Sequence, residues 1–138
     1  MSRDDDFRVR PGRIRSPKAQ RALPFVAQAL AAAQALEAQG LSAEIIDARW
    51  LDPFDWDTLA DSVRKTGRLM IVHEAVLTGG FGAEIAARAG SELSAHLRAP
   101  VQRLATADCR IPAAPHLQRA LIPDAGRIAA GAMTLARF

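Results

Sequence analysis

Residues 68–89 carry the pattern that most limits what this chain can become. Arg68-Leu69-Met70-Ile71-Val72 is an apolar run of strand length that follows Gly67 directly. It leads through His73-Glu74-Ala75-Val76-Leu77-Thr78 into Gly79-Gly80-Phe81-Gly82. Beyond that turn Phe81, Ile85, Ala86 and Ala89 recur at helical spacing. A buried strand feeding a glycine turn and then a helix is the unit from which α/β domains are built. The turn lies at the carboxyl end of the strand, where such folds place ligands or partners.

The flanking segments repeat the same alternation. A helix is predicted from Pro24, a residue suited to a first turn, through Phe25, Ala29, Leu30, Ala33 and Leu36 to Gly40. A strand is predicted over 43–51, where Ile45 and Ile46 are β-branched and Trp50 is large and apolar. Asp52-Pro53-Phe54-Asp55 reads as a turn in which Asp55 caps a helix that buries Trp56, Leu59, Ala60 and Val63 and ends at Gly67. After the central strand come a helix over 82–97, a third strand over 101–104 and a loop over 105–115. A short helix over 116–121 and a final helix over 124–138 complete the chain. This order points to a parallel sheet with helices packed on it.

At 138 residues, with 49% apolar and 24% charged residues, the chain has the composition of one globular domain. The single cysteine, Cys109, has no internal disulfide partner, which favours a reducing, cytoplasmic setting. Neither a membrane span nor a secretory leader is expected. The net charge of +3 is unevenly spread, because residues 1–21 hold seven basic groups against three acids. The expected organisation is a basic, mobile arm over 1–21 and a domain over 22–138.

From residue 36 onward the chain resembles a known family. Ala43-Glu44-Ile45-Ile46-Asp47-Ala48-Arg49-Trp50-Leu51-Asp52-Pro53-Phe54-Asp55 looks like the second strand and turn of the transketolase C-terminal domain. Ser62-Val63-Arg64-Lys65-Thr66-Gly67-Arg68-Leu69, Val72-His73-Glu74-Ala75 and Thr78-Gly79-Gly80-Phe81-Gly82-Ala83-Glu84 are similar to the β subunit of the E1 component of 2-oxo acid dehydrogenases, of the pyruvate and branched-chain type. Ala99-Pro100-Val101, Ile111-Pro112 and Leu121-Ile122-Pro123 fit as well. The resemblance implies a three-layer α/β/α fold with a mainly parallel sheet. It further implies an interface domain in oxidative decarboxylation of a 2-oxo acid, with E1 α and β subunits and the E2 acyltransferase as partners. Thiamine diphosphate and magnesium belong to the complete enzyme by the same resemblance and are held there by two other domains. This chain alone is expected to bind no cofactor and to have no decarboxylase activity.

The N-terminus departs from that family, whose domain opens with a strand inside the sheet. Here Phe7-Arg8-Val9-Arg10-Pro11-Gly12-Arg13-Ile14-Arg15 precede the first helix. Burying Arg8 and Arg10 without partners would cost several kcal/mol each, so residues 7–15 are expected not to replace the strand. The strands over 43–51 and 68–72 would then pair with each other or with another chain, and apolar surface at the gap would favour a homo-oligomer. Asp5-Asp6-Phe7-Arg8-Val9-Arg10-Pro11-Gly12-Arg13-Ile14-Arg15, with the following Phe25–Ala33 run, also resembles the opening of mobilisation-type conjugative relaxases. A fusion junction near residue 35 is one expectation. Alternative functions are a nucleic-acid-binding module through this N-terminus and a non-functional fusion fragment. Nicking is excluded, because the chain has no tyrosine and only three scattered histidines.

The candidate chemistry is sparse. His73, Glu74, Thr78, Gly79, Gly80, Phe81 and Gly82 form the candidate partner or anion contact, set against a reading of the glycines as turn geometry. Ile85 stands where a dinucleotide fingerprint needs a small residue, and no lysine follows for a phosphate-binding loop. His73 and Glu74 are otherwise read as hydrogen-bonded structure. Asp47, Asp52, Asp55 and Asp57 are read as turn and cap residues, and Trp50 and Trp56 as core or interface anchors. No residues are assigned a catalytic or metal-binding role, since Cys109, His73, His96 and His116 lack close ligand pairs. Arg8, Arg10, Arg13 and Arg15 are candidate phosphate contacts, although only Phe7 could stack on a base, so nucleic acid is a disfavoured partner.

Overall fold

Local signals set the ends of the helix before the central strand. In the computed structural model, which describes residues 9–11 and 24–138 with side chains from residue 25, that helix is α2, Trp56–Thr66. Asp55 caps it, accepting hydrogen bonds from the Thr58 backbone N–H at 3.2 Å and the Thr58 hydroxyl at 2.8 Å. Gly67 ends it at φ +70°, donating its N–H to the Val63 carbonyl at 2.8 Å. A side chain at Gly67 would meet the Arg98 stem at 2.8 Å, so both backbone and space call for glycine.

The remaining elements follow the predicted order. They are β1 (Val9–Pro11), α1 (Pro24–Glu37), β2 (Ile45–Asp47), β3 (Met70–Val76), α3 (Phe81–Glu92), β4 (Gln102–Thr106), α4 (Pro115–Leu121) and α5 (Ala125–Ala136). A 3-10 turn, Ser94–His96, ends the helix predicted over 82–97 early. Asp124 caps α5 by accepting from the Arg127 N–H at 2.8 Å.

Strand alternation separates the two helical layers. Ile71 belongs to the cluster of Leu59, Ala60, Val63, Ile85, Ala89 and Leu93 supplied by α2, α3 and the turn after α3. Its neighbour Met70 lies on the other face, where its sulfur sits 3.1 Å from a Cβ placed on Gly131 of α5. On that second face α1 packs against α5, burying Ala32, Ala33, Leu36, Ile128 and Leu135. The alanines let the two helices approach closely. Gln28 also accepts the Ala125 N–H at 2.9 Å, tying the start of α5 to α1.

The sheet is drawn differently from the sequence expectation. Among the described residues there are two two-stranded parallel ladders, β1 with β2 and β3 with β4. Val9–Pro11 pairs with Ile45–Asp47, so residues 7–15 do enter the sheet through these three positions. The argument against it concerned arginine side chains, whereas the ladder uses backbone groups. It ends at Pro11, which has no N–H to donate. The predicted pairing of 43–51 directly with 68–72 is not found among the described residues. The strand predicted over 43–51 is shortened to three residues, and Trp50 and Leu51, 48% and 53% exposed, are not core anchors. Trp56 does pack against the core, with the Arg88 guanidinium 4.2 Å over its ring. The rest of the 1–21 arm lies outside the described residues.

Candidate functional site

β3 and β4 run in register from Met70↔Gln102 to Val72↔Leu104 and meet again at Val76↔Thr106. Between those pairs β3 advances four residues while β4 advances two, so His73-Glu74-Ala75 carries an irregularity in the ladder. Bulged segments of this kind re-aim side chains near the ends of sheets. Glu74 and Ala75 are exposed. His73 turns inward, on the same face as Ile71.

The imidazole of His73 fills the space beneath the start of α3. A Cβ on Gly82 would collide with His73 Nε2 and Cδ2 and stand 3.1 Å from Ile71 Cγ2. A Cβ on Gly80 would stand 2.8 Å from His73 Cε1 and would also collide with the Val76 carbonyl oxygen. These two glycines are therefore required by close packing, while the left-handed position of the turn falls to Gly79. Both ring nitrogens are buried, and neither has a hydrogen-bond partner among the described residues. Burial, followed by the nearby Arg103 guanidinium, holds the His73 pKa below its ordinary 6.5. The Ala75 backbone lies close enough to oppose that shift, although it completes no hydrogen bond of good geometry.

The outer side of the turn is pinned to β4 and the loop after it. Thr78 donates its N–H to Asp108 Oδ1 at 2.8 Å and its hydroxyl to Asp108 Oδ2 at 2.5 Å. These two bonds, with Arg103 adding to them, hold the Asp108 carboxyl below the usual aspartate range. Arg103 Nη1 donates to the Leu77 carbonyl at 2.7 Å, and Leu77 N–H reaches the Thr106 carbonyl at 3.0 Å. Gly79 turns the chain at φ +73°. Gly80 is the N-cap of α3 and offers no side-chain acceptor to the helix amides. Phe81 remains 38% exposed, its ring centroid 6.0 Å from that of Phe54. A shallow cleft beside the turn is lined by Val76, Thr78, Asp108, Cys109 and Arg110.

The structure thus gathers His73, Gly80 and Gly82 into one packed wedge, and it presents Thr78, Gly79 and Phe81 outward. Glu74 is separated from His73 and forms no pair with it. His96 and His116 are exposed on other elements, and Cys109 is an exposed free thiol. Arg103 and Asp108, which sequence reading passed over, are the residues that fasten the turn. The candidate phosphate contacts Arg8, Arg13 and Arg15 lie outside the described residues, as does the Arg10 side chain. Among the described residues no group of His, Cys, Asp or Glu is arranged to hold a metal ion, and no helix is long and apolar enough to cross a membrane.

Comparison with known proteins decides the family. The profile of "Transketolase, C-terminal domain" matches residues 24–128. The chain belongs to this family. Its relatives include the 2-oxoisovalerate dehydrogenase subunit beta of Pseudomonas aeruginosa, 41% identical over 123 residues, which is 88% of this chain and 33% of that protein. The mitochondrial pyruvate dehydrogenase E1 component subunit beta-2 of Oryza sativa subsp. japonica is 42% identical over 72% of this chain and 27% of its own length. The pyruvate dehydrogenase E1 component subunit beta of Rhizobium meliloti is 39% identical over 72% of this chain and 22% of its own. The chain therefore spans a third or less of the length of these transketolase C-terminal relatives. None of the three is a relaxase.

Proposed function

We propose that this transketolase C-terminal domain serves as the interface domain of a thiamine-diphosphate-dependent 2-oxo acid dehydrogenase, in the position of its E1 β subunit. The observation that supports this most is the 41% identity to a 2-oxoisovalerate dehydrogenase subunit beta across 88% of the chain. Relatives with pyruvate dehydrogenase names match nearly as well, so the reading covers both substrate classes. The outward side of the turn, with Thr78, Gly79 and Phe81, is the surface offered to a partner.

The chain's own residues do not suit the cofactor. A diphosphate would want open amides at a helix start and carboxylates for magnesium. Beneath α3 that space is filled by His73, and no carboxylate cluster stands nearby among the described residues. In this reading decarboxylation resides in other domains, and this domain contributes contacts to E1 subunits and to the acyltransferase core. A cytoplasmic setting belongs to the same reading, supported by the unpaired Cys109.

The test is association and turnover measured on the purified chain. Expected are a stable complex with the E1 α subunit or the acyltransferase, and no thiamine-diphosphate-dependent consumption of pyruvate or a branched-chain 2-oxo acid. Turnover by the chain alone, or no association with either protein at low salt, would overturn the proposal.

A further inference from the structure

His73 occupies a position that a core residue would ordinarily fill. Its ring lies against the backbone of Gly80 and Gly82, on the same face as the buried Ile71, and both nitrogens are sealed off without partners. A neutral imidazole packs there as a flat plate. We propose that His73 is a proton-operated latch: neutral, it holds the 78–82 turn closed on β3, and protonated, it releases that turn.

Three features of the geometry make the charged ring intolerable in place. Neither buried nitrogen completes a hydrogen bond among the described residues, and the nearby Ala75 backbone offsets only part of the cost of a second N–H. The ring lies at the start of α3, the positive end of that helix dipole. Arg103 of β4 already places a cation within electrostatic reach. Among the described residues no anion offsets these effects. Asp108, in the loop after β4, is engaged by Thr78, while Glu74 on β3 and Glu84 and Arg88 on α3 are exposed to solvent. On α2, Asp57, Asp61, Arg64 and Lys65 are exposed as well.

The turn is fastened on its outer side by the Thr78–Asp108 and Arg103–Leu77 bonds, and two features leave its inner side less tied. The β3–β4 ladder is interrupted between Val72 and Val76, and Gly80 gives α3 no side-chain cap. Relief by swinging the ring outward therefore opens residues 78–82 before it disturbs the cluster around Leu93 and Val63. Phe81 moves with the turn, so the surface it offers changes with pH. The latch itself does not depend on which partner that surface meets.

The experiment is amide hydrogen exchange on the purified chain, corrected for intrinsic rates, between about pH 7.5 and pH 5. Below the ordinary histidine value, opening of residues 76–86 should grow by at most about tenfold per pH unit, while α5 keeps its protection. In His73→Gln the same segment should show no pH-dependent opening. Histidine-ring NMR on the unmodified chain gives a second reading that needs no variant: His73 should titrate below the ordinary histidine value of 6.5. The latch is overturned by a His73 titration at or above the ordinary histidine value, by identical acid opening in His73→Gln, or by loss of α5 protection in step with the turn.

Discussion

Replacing Gly82 with alanine tests the wedge directly. The new Cβ would fall inside contact distance of the His73 ring and 3.1 Å from Ile71 Cγ2. Overpacking of this kind costs about 1–3 kcal/mol. Against it, alanine is a better helix former than glycine by about 1 kcal/mol, and Gly82 is the second residue of α3. The expected net loss is about 0–2 kcal/mol. In a His73→Ala background the obstructing ring is gone, and the same substitution should become neutral or stabilising by up to about 1 kcal/mol. The coupling between the two sites is then about 2 kcal/mol, within the range found for residues in contact. Urea unfolding followed by far-ultraviolet circular dichroism would read it near pH 7.5, where His73 is neutral. With a urea slope of about 2 kcal/mol/M, the coupling appears as a shift of about 1 M in midpoint. An equal penalty for Gly82→Ala in both backgrounds would show that the ring does not press on α3.

Other perturbations should be read in the same assay. Leu93→Ala removes a side chain only 1% exposed from the α2–α3 cluster and should cost about 2–5 kcal/mol. Gly67→Ala forces a side chain into φ +70° and against Arg98, for a loss of about 1–2 kcal/mol from the backbone alone. Asp55→Ala should cost about 0.5–2 kcal/mol by uncapping α2. Because the folded pKa of His73 lies below 6.5, its contribution is complete above pH 6.5 and is lost as pH falls from there through the folded value; His73→Gln should flatten that part of the stability profile.

The sequence revealed the parts of the fold that depend on near neighbours. Asp55, Gly67 and Asp124 sit at helix ends because their own turns require them, and each was readable within a few residues. The ladder irregularity at His73–Ala75 was not readable, since it is defined only against β4. Asp108 was missed for a related reason: its partner Thr78 lies 30 residues away, and nothing local marks a loop aspartate as a fastener. The reading of 43–51 as one long strand failed at Trp50 and Leu51, whose apolar character implied burial that these positions do not have. Residues 7–15 were judged by their arginines, and the three-residue ladder with β2 depends on backbone instead.

The pairing of α1 with α5 has a consequence for how the protein is made. The Gln28–Ala125 hydrogen bond spans 97 positions, and the apolar face of α1, which also meets β2 and β3, is fully covered only when α5 has been synthesised. At about 5–20 residues per second, a ribosome needs roughly 5–20 s to cross that interval. Throughout it the nascent chain displays Ala32, Ala33 and Leu36 without their partner helix. The α2–α3 side can close earlier, because Leu59 through Leu93 emerge close together. Birth order thus divides the domain into a face that matures on the ribosome and a face that closes last.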